Sequence, residues 1–496
     1  MSKIQAPYYP IIYVRGYAMT ASEVAATTAT PYMGFNLGST KLRQRWDGKV
    51  IRHYFESPLI RLMKDWGYAD CYAEGLEQGE SLSPRSIFIH RYYDSADEHF
   101  GDGQAPSIED AAEELRQLIA RVRDGVCGDD AQRRKSFRVY LVAHSMGGLI
   151  CRCLLQNSKF RRSEEPALVD KVFTYATPHN GIEMAGVNVP RFLGLWDMNN
   201  FNRSTMAKYL GLRSSTRVSS LNKRFDAERF FCLVGTNPED YDAAGGWSSR
   251  LAGIMSDGLV KIENAAVDGA PRAFVYRSHS GPMGIVNSEE GYQNLVRFLF
   301  GDVRVNGQLE VEELPLPPSV QREKAAGRSV RASYFFEAIV APRAATGYTL
   351  TERTTATHSA VFRRYDELFK PEREGLESPR WPWLFTVFLD TARITIGRTL
   401  VFSIDLSVSA TDYQVDGLVA FNRHIPSENL LRESVSIRAT RRSDGWLIRY
   451  NLMDESWGEN LGREAPTDDQ GVYIPLKSRK GFSGKLRLQM SPWNTD

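Results

Sequence analysis

One stretch constrains the fold more than any other: Phe137 to Cys153, FRVYLVAHSMGGLICRC. Arg138 to Ala143 reads as a strand, since Val139, Leu141 and Val142 make it mostly apolar. His144-Ser145-Met146 reads as a sharp corner, and Gly147 to Leu155 as a helix. A strand passed to a helix through x-Ser-x-Gly is a nucleophile elbow. The turn is tight, so the residues two before and two after the serine must be small, and they are Ala143 and Gly147. Such a turn lifts the Ser145 hydroxyl above the sheet and aims the Met146 N–H, at the helix N-terminus, toward the same point. The other Ser-x-Gly triplets, at Ser256, Ser443 and Ser456, have no small residue two positions earlier and no strand-to-helix context.

A serine hydroxyl is a poor nucleophile until a base takes its proton. The base in turn needs a carboxylate to fix its tautomer and stabilise its charged form. In elbow-bearing sheets the chain order is serine, acid, histidine. After Ser145 the histidines are His179, His279, His358 and His424, and the last two lie in a different region. His279, in Arg277-Ser278-His279-Ser280-Gly281, sits in a loop after a strand and before a helix, where the base belongs. His179 follows the wrong strand and is expected to line the site or support its loops. His144 is expected in the pocket wall. Asp257, in MSDGLV, is the expected acid, with Asp240, Glu263 and Asp268 as rivals. The first strand, Ile11 to Val14, ends in Arg15-Gly16-Tyr17, the βα turn that supplies a second oxyanion donor. Tyr17 is the candidate, because Gly16 permits close backbone approach.

Around these residues the pattern alternates strand and helix, which predicts an α/β fold with a mostly parallel sheet, of the α/β-hydrolase type. Pro58–Tyr68 reads as an amphipathic helix and Ser86–Tyr93 as a strand, with His90 a satisfied core residue. Ser107 opens a helix whose apolar face is Ile108, Ala111, Ala112, Leu115, Leu118, Ile119 and Val122. Asp129–Lys135 reads as a charged loop. Strands follow at Val169–Ala176, Arg229–Gly235 and Arg272–Arg277, and a closing helix at Ser288–Phe300. Between 183 and 222 the sheet rhythm stops. This apolar insertion, with Trp196 expected against substrate, reads as a lid over a lipophilic pocket or a fixed cap. The predicted hydrolase-type domain is 1–302. A Pro- and Glu-rich linker is expected at 303–328. A β-sandwich-like domain is expected at 329–496, from eight short strand patterns: 330–340, 359–365, 384–389, 393–396, 400–408, 434–439, 446–450 and 485–490.

AHSMGG at 143–148, TPHNG at 177–181, SDGLV at 256–260 and the histidine of RSHSG together resemble the bacterial triacylglycerol lipases. They are also similar to the GPI-inositol-deacylase-like lipases of the same superfamily. The resemblance runs in motif order over residues 8–301 and implies carboxylic ester hydrolysis carried by Ser145, Asp257 and His279. Ala143 stands where these lipases usually have glycine, and Arg15-Gly16 where they commonly have His-Gly. Some relatives hold a structural calcium, but no ligand cluster for it, and no other cofactor or metal site, is read here. The implied substrate is a lipid or other acyl ester, with peripheral membrane contact as an expectation. An acyltransferase using the same acyl-enzyme and a binding protein on a dead hydrolase scaffold are the alternatives.

Composition adds exclusions. Lys and Arg number 62 against 60 Asp and Glu, so no nucleic-acid footprint follows. Five cysteines, odd in number and mostly in apolar runs, give neither a disulfide framework nor a zinc knuckle. The N-terminus has no signal-peptide pattern, and no run reaches the roughly 18 apolar residues of a spanning helix. A cytoplasmic location is the expectation, with export by a route needing no such signal left open.

Overall fold

The structure is a computed structural model of the chain. It describes residues 4–16, 41–44, 50–53, 57–71, 82–90, 92, 106–184, 187–188, 198–238, 255–279, 284–328, 330–343, 347–352, 359–369, 381–394, 397–410, 413–415, 428–443, 445–455 and 462–494. Two compact units divide it, Met1–Phe300 and Gly301–Asp496.

The first unit is built on seven parallel strands: β1 Ile11–Val14, β2 Ala69–Asp70, β3 Ser86–His90, β4 Val139–His144, β5 Val169–Tyr175, β6 Phe230–Gly235 and β7 Arg272–Val275. Their order across the sheet is β7-β6-β5-β4-β1-β3-β2, which puts the elbow strand β4 in the centre. Its neighbours are parallel, with Val14 opposite Ala143 and His144 opposite Tyr175. Every residue of β1 and β4 is buried, as a strand covered on both faces requires. That explains why these segments read as continuous apolar runs without alternation.

The helices follow from periodicity and caps. Helix α1 runs Ser57–Trp66. Helix α2 runs Ile108–Cys127, and the Ser107 hydroxyl accepts the Asp110 N–H at 3.1 Å. Its predicted apolar face, Ile108 through Val122, is buried. Each large aliphatic side chain there contributes about 1.5–3 kcal/mol. Residues 131–136, expected as loop, form helix α3, Ala131–Ser136. Asp130 caps it by accepting from the Gln132 and Arg133 amides. No residue of α3 is buried, so this turn owes its helix to the cap and not to an apolar stripe. Helix α4, Met146–Gln156, is buried along its whole length.

In α4 sits Arg152, fully buried, with no carboxylate among its hydrogen-bond partners. Its guanidinium donates to Gln156 Oε1 and to the carbonyls of His179, Val218 and Ser220 at 2.7–2.9 Å. Burial lowers its pKa to about 10. It binds the end of the 183–222 insertion to the helix behind Ser145. Within that insertion α5, Arg203–Tyr209, buries Met206 and Tyr209, and Phe201 and Leu210 are buried beside it. The described part from 198 on is therefore packed like a cap; residues 189–197, including Trp196, lie outside the described residues. Helix α6, Glu289–Phe300, closes the unit.

The second unit begins earlier than the pattern suggests. The expected linker at 303–328 is overturned over its first half. Val303–Glu313 is a long strand, β8, paired antiparallel with Trp383–Leu389 and Ser483–Pro492. Val303, Val305, Leu309 and Val311 alternate into the core, while the intervening glutamates that made the stretch read as linker are not in the core. A short helix, Pro318–Ala325, follows. Where a strand was expected at 393–396, Thr391–Arg393 is a 3₁₀ turn capped by Asp390, and residues 395–396 lie outside the described residues. Gly471–Lys477 is a strand the sequence reading missed. Among the described residues this unit holds an antiparallel sheet of five strands, another of six, and a two-stranded pair, Val330–Arg331 with Gln414–Val415. In the six-stranded sheet, alternate residues Leu400, Phe402, Ile404 and Leu406 are buried, and so are Val435, Ile437 and Ala439 of the neighbouring strand. One apolar face per sheet is the patterning of a β-sandwich.

Candidate active site

The elbow forms at the end of β4. Ser145 has φ 52° and ψ −126°, a strained conformation for a residue with a side chain. Its own N–H donates to the Tyr175 carbonyl at 2.9 Å, and its carbonyl accepts from the Gly148 N–H at 3.1 Å. The Thr177 hydroxyl donates to the same carbonyl at 2.8 Å. A Cβ on Gly147 would stand 2.1 Å from the Val14 carbonyl oxygen, and one on Gly148 would stand 2.3 Å from Thr177 Oγ1. Both glycines of SMGG are therefore required sterically, the first by the neighbouring strand and the second by the TPHNG loop. Gly16 is equally confined, since a Cβ there would lie 2.8 Å from Ser145 Cβ.

Three side chains from three separate loops meet here. Ser145 Oγ lies 2.9 Å from His279 Nε2, and His279 Nδ1 lies 2.9 Å from Asp257 Oδ2. The other carboxylate oxygen, Oδ1, accepts from the Leu259 and Val260 amides at 3.1 and 2.8 Å. These bonds fix the carboxylate plane. Asp257 and His279 are almost wholly buried. Gly235, at the end of β6, makes room for the acid: a Cβ there would meet Asp257 Cβ at 3.0 Å. The His279 backbone is held too. Its N–H donates to the Asp257 carbonyl at 2.9 Å, and its carbonyl accepts from His144 Nε2 at 2.9 Å. His279 is thus anchored through both ring nitrogens and both backbone polar groups.

His144 is placed beside the base, ring centres 5.1 Å apart, and its pKa is lowered to about 3, first by burial and then by His279. A neutral His144 with its proton on Nε2 is the form that can donate to the carbonyl. It grips the histidine loop, a role sequence reasoning did not see. His179, expected to line the site or support its loops, is fully buried, and its carbonyl accepts from Arg152 at 2.8 Å. Its Nε2 lies 3.1 Å from Thr174 Oγ1 and its ring packs edge-on against Phe230. Burial lowers its pKa well below the usual value. Ala176, which follows the preceding strand, has φ 48°. Of the rival acids, Asp268 is engaged by Ser219 and Arg217, and Asp240 lies outside the described residues, as does Tyr17. The Met146 N–H opens α4, where the first amides of a helix have no intrahelical acceptor.

A second cluster braces the acid turn. Glu183 accepts from Lys261 Nζ at 2.7 Å and pairs with Arg203. Asn180 of TPHNG donates to Asn264 Oδ1 at 2.9 Å, and its own Oδ1 accepts the Val218 amide at 2.8 Å. No sequence signal marked Glu183 or Asn264. All five cysteines are free. Among the described residues no three His, Cys, Asp or Glu side chains cluster to hold a metal ion, and no helix is long and apolar enough to cross a membrane.

A parallel sheet with a positive-φ serine between its central strand and a buried helix defines an α/β domain of the hydrolase type. The family model of the PGAP1-like alpha/beta domain matches residues 68–193, so that stretch is PGAP1-like and lipase-like in fold. It contains Ser145 and stops short of Asp257 and His279. A solved structure, that of the Tle4-Tli4 complex, is similar at 15% identity with a TM-score of 0.20, over 46% of this chain and 57% of that one. The chain thus spans little more than half of that neighbour, and a likeness so slight carries no argument. No curated protein matches the chain in sequence.

Proposed function

We propose that the chain is a serine-dependent carboxylic ester hydrolase acting on lipid or other acyl esters through an acyl-enzyme. The observation that carries this reading is the unbroken 2.9 Å relay from Ser145 Oγ through the His279 ring to Asp257. Ser145 attacks the acyl carbonyl while His279 Nε2 takes the hydroxyl proton. Asp257 holds the imidazole in the Nδ1–H tautomer and stabilises its charged form. The Met146 N–H, joined by that of Tyr17, receives the oxyanion. His279 returns the proton to the leaving alcohol, and water, activated by the same base, releases the acid. The lipase-like fold of residues 68–193 supports an ester substrate at the level of the family.

The test is labelling of the purified chain with a fluorophosphonate, alongside Ser145→Ala and Ser443→Ala. Labelling is expected to vanish in the first variant and persist in the second; retention in Ser145→Ala overturns the nucleophile. Hydrolysis of p-nitrophenyl esters of rising acyl length then tests the lipid preference, and activity confined to the shortest acyl groups contradicts it.

A further inference from the structure

One end of the six-stranded sheet in the second unit collects positive charge. Four strands reach it: Ser333–Pro342, Thr399–Ala410, Glu428–Arg442 and Gly445–Leu452. In one row across them the Arg343 amide donates to Val401, Val401 pairs with Arg438, and Arg438 pairs with Arg449. Three residues further along, at the strand ends and on the opposite face, Arg441 stands opposite Trp446, and Arg398 immediately precedes the Thr399–Thr440 pair. Arg442 completes the set at the hairpin tip. Arg343, Arg398, Arg441 and Arg442 are exposed and form no ion pair with a described residue. Arg449 has one distant carboxylate, Glu464 at 3.9 Å. Like charges directly opposite one another on a sheet, as Arg438 and Arg449 are, weaken the pairing.

We infer that this sheet end is a docking surface for a bilayer carrying anionic phospholipids. Three features select that occupant. The charge is complementary. The patch is the blunt end of four adjacent strands, about 15 Å wide at the usual strand spacing, and so presents a face and not a groove that would track a nucleic-acid backbone. Half-buried Trp446 lies in register with Arg441, and an indole beside basic side chains suits the headgroup layer. The choice of a lipid surface also rests on the acyl-ester reading above, because such substrates reside in membranes.

The experiment is co-sedimentation of the full chain with vesicles of phosphatidylcholine alone, or mixed with phosphatidylserine, at low and high salt. Binding is expected only to the mixed vesicles and is expected to fall with salt. Each arginine removed should weaken it about fivefold, so Arg398→Gln/Arg441→Gln/Arg442→Gln should lose about 100-fold. All three positions are exposed, so the melting temperature should be unchanged. Equal binding to neutral vesicles, undiminished binding of the triple variant, or preference for a double-stranded oligonucleotide over the mixed vesicles overturns the inference. Turnover of a soluble p-nitrophenyl ester separates the two readings. A triple variant that keeps this turnover while losing vesicles supports docking by the patch. A chain that binds the mixed vesicles yet turns over no ester sinks the hydrolase reading and leaves the docking surface standing.

Discussion

Asp257→Asn offers the sharpest test of the relay, because the surrounding turn dictates how the new amide must lie. Oδ1 of Asp257 accepts two backbone N–H groups, from Leu259 and Val260. The amide oxygen of asparagine must therefore take that position, since turning the NH₂ there would set donor against donor twice, at about 1–3 kcal/mol each. The NH₂ is then forced into the Oδ2 place, 2.9 Å from His279 Nδ1. Facing a donor, Nδ1 must accept, and the ring proton moves to Nε2, pointing at the Ser145 hydroxyl. The base is present, well placed and in the wrong tautomer. The expected loss in kcat is about 10³–10⁴-fold, or roughly 4–5.5 kcal/mol of barrier. KM should change little, because no group touching substrate has moved. The turn keeps both of its amide bonds, so melting should stay close to that of the parent. The assay is ester turnover together with the rate of fluorophosphonate labelling. A folded Asp257→Asn variant within tenfold of parental kcat would refute the argument.

Two further outcomes follow from the histidines. His90 and His144 have folded pKa values lowered to about 4 and about 3, and His179 is lowered well below the ordinary 6.5, each chiefly by burial. The unfolded chain binds these protons near pH 6.5 and the folded chain does not. Their contribution to stability is thus complete above that pH and is lost as pH falls from 6.5 toward 4 and 3. Three protons amount to about 4 kcal/mol per pH unit at the steepest. Urea melts of the first unit's transition at a series of pH values should show it, and a flat profile below pH 6.5 would contradict the burial assignment. His144→Phe removes the 2.9 Å bond to the His279 carbonyl and should lower kcat about tenfold at unchanged KM. His144→Gln, which keeps a donor, should recover part of it. Equal losses in the two variants would show that the bond does not position the base.

What the chain reveals locally and what it reveals only when folded divide along a physical line. The elbow at Ala143–Gly148, the cap at Ser107 and the apolar face of Ile108–Val122 depend on neighbours within a few residues, and all were legible. The pairing of Ser145 with His279 and Asp257 was legible too, because chain order and turn context restrict the choice of partners. Val303–Glu313 was misread because half its residues are glutamate or other polar groups, and only pairing with Ser483–Pro492, far along the chain, makes it a strand. His179 was expected to line the site or support its loops, and only the fold shows it buried against Thr174 and Phe230 with its carbonyl held by Arg152. The grip of His144 on His279, the brace of Thr177 on Ser145 and the tie from Arg152 to Ser220 were silent in the sequence. The sequence alone determined which residues have chemistry to offer, since that depends on side-chain type and local backbone. Tertiary structure decided which of them are held still and which are hidden, because those properties come from atoms tens to more than a hundred residues away.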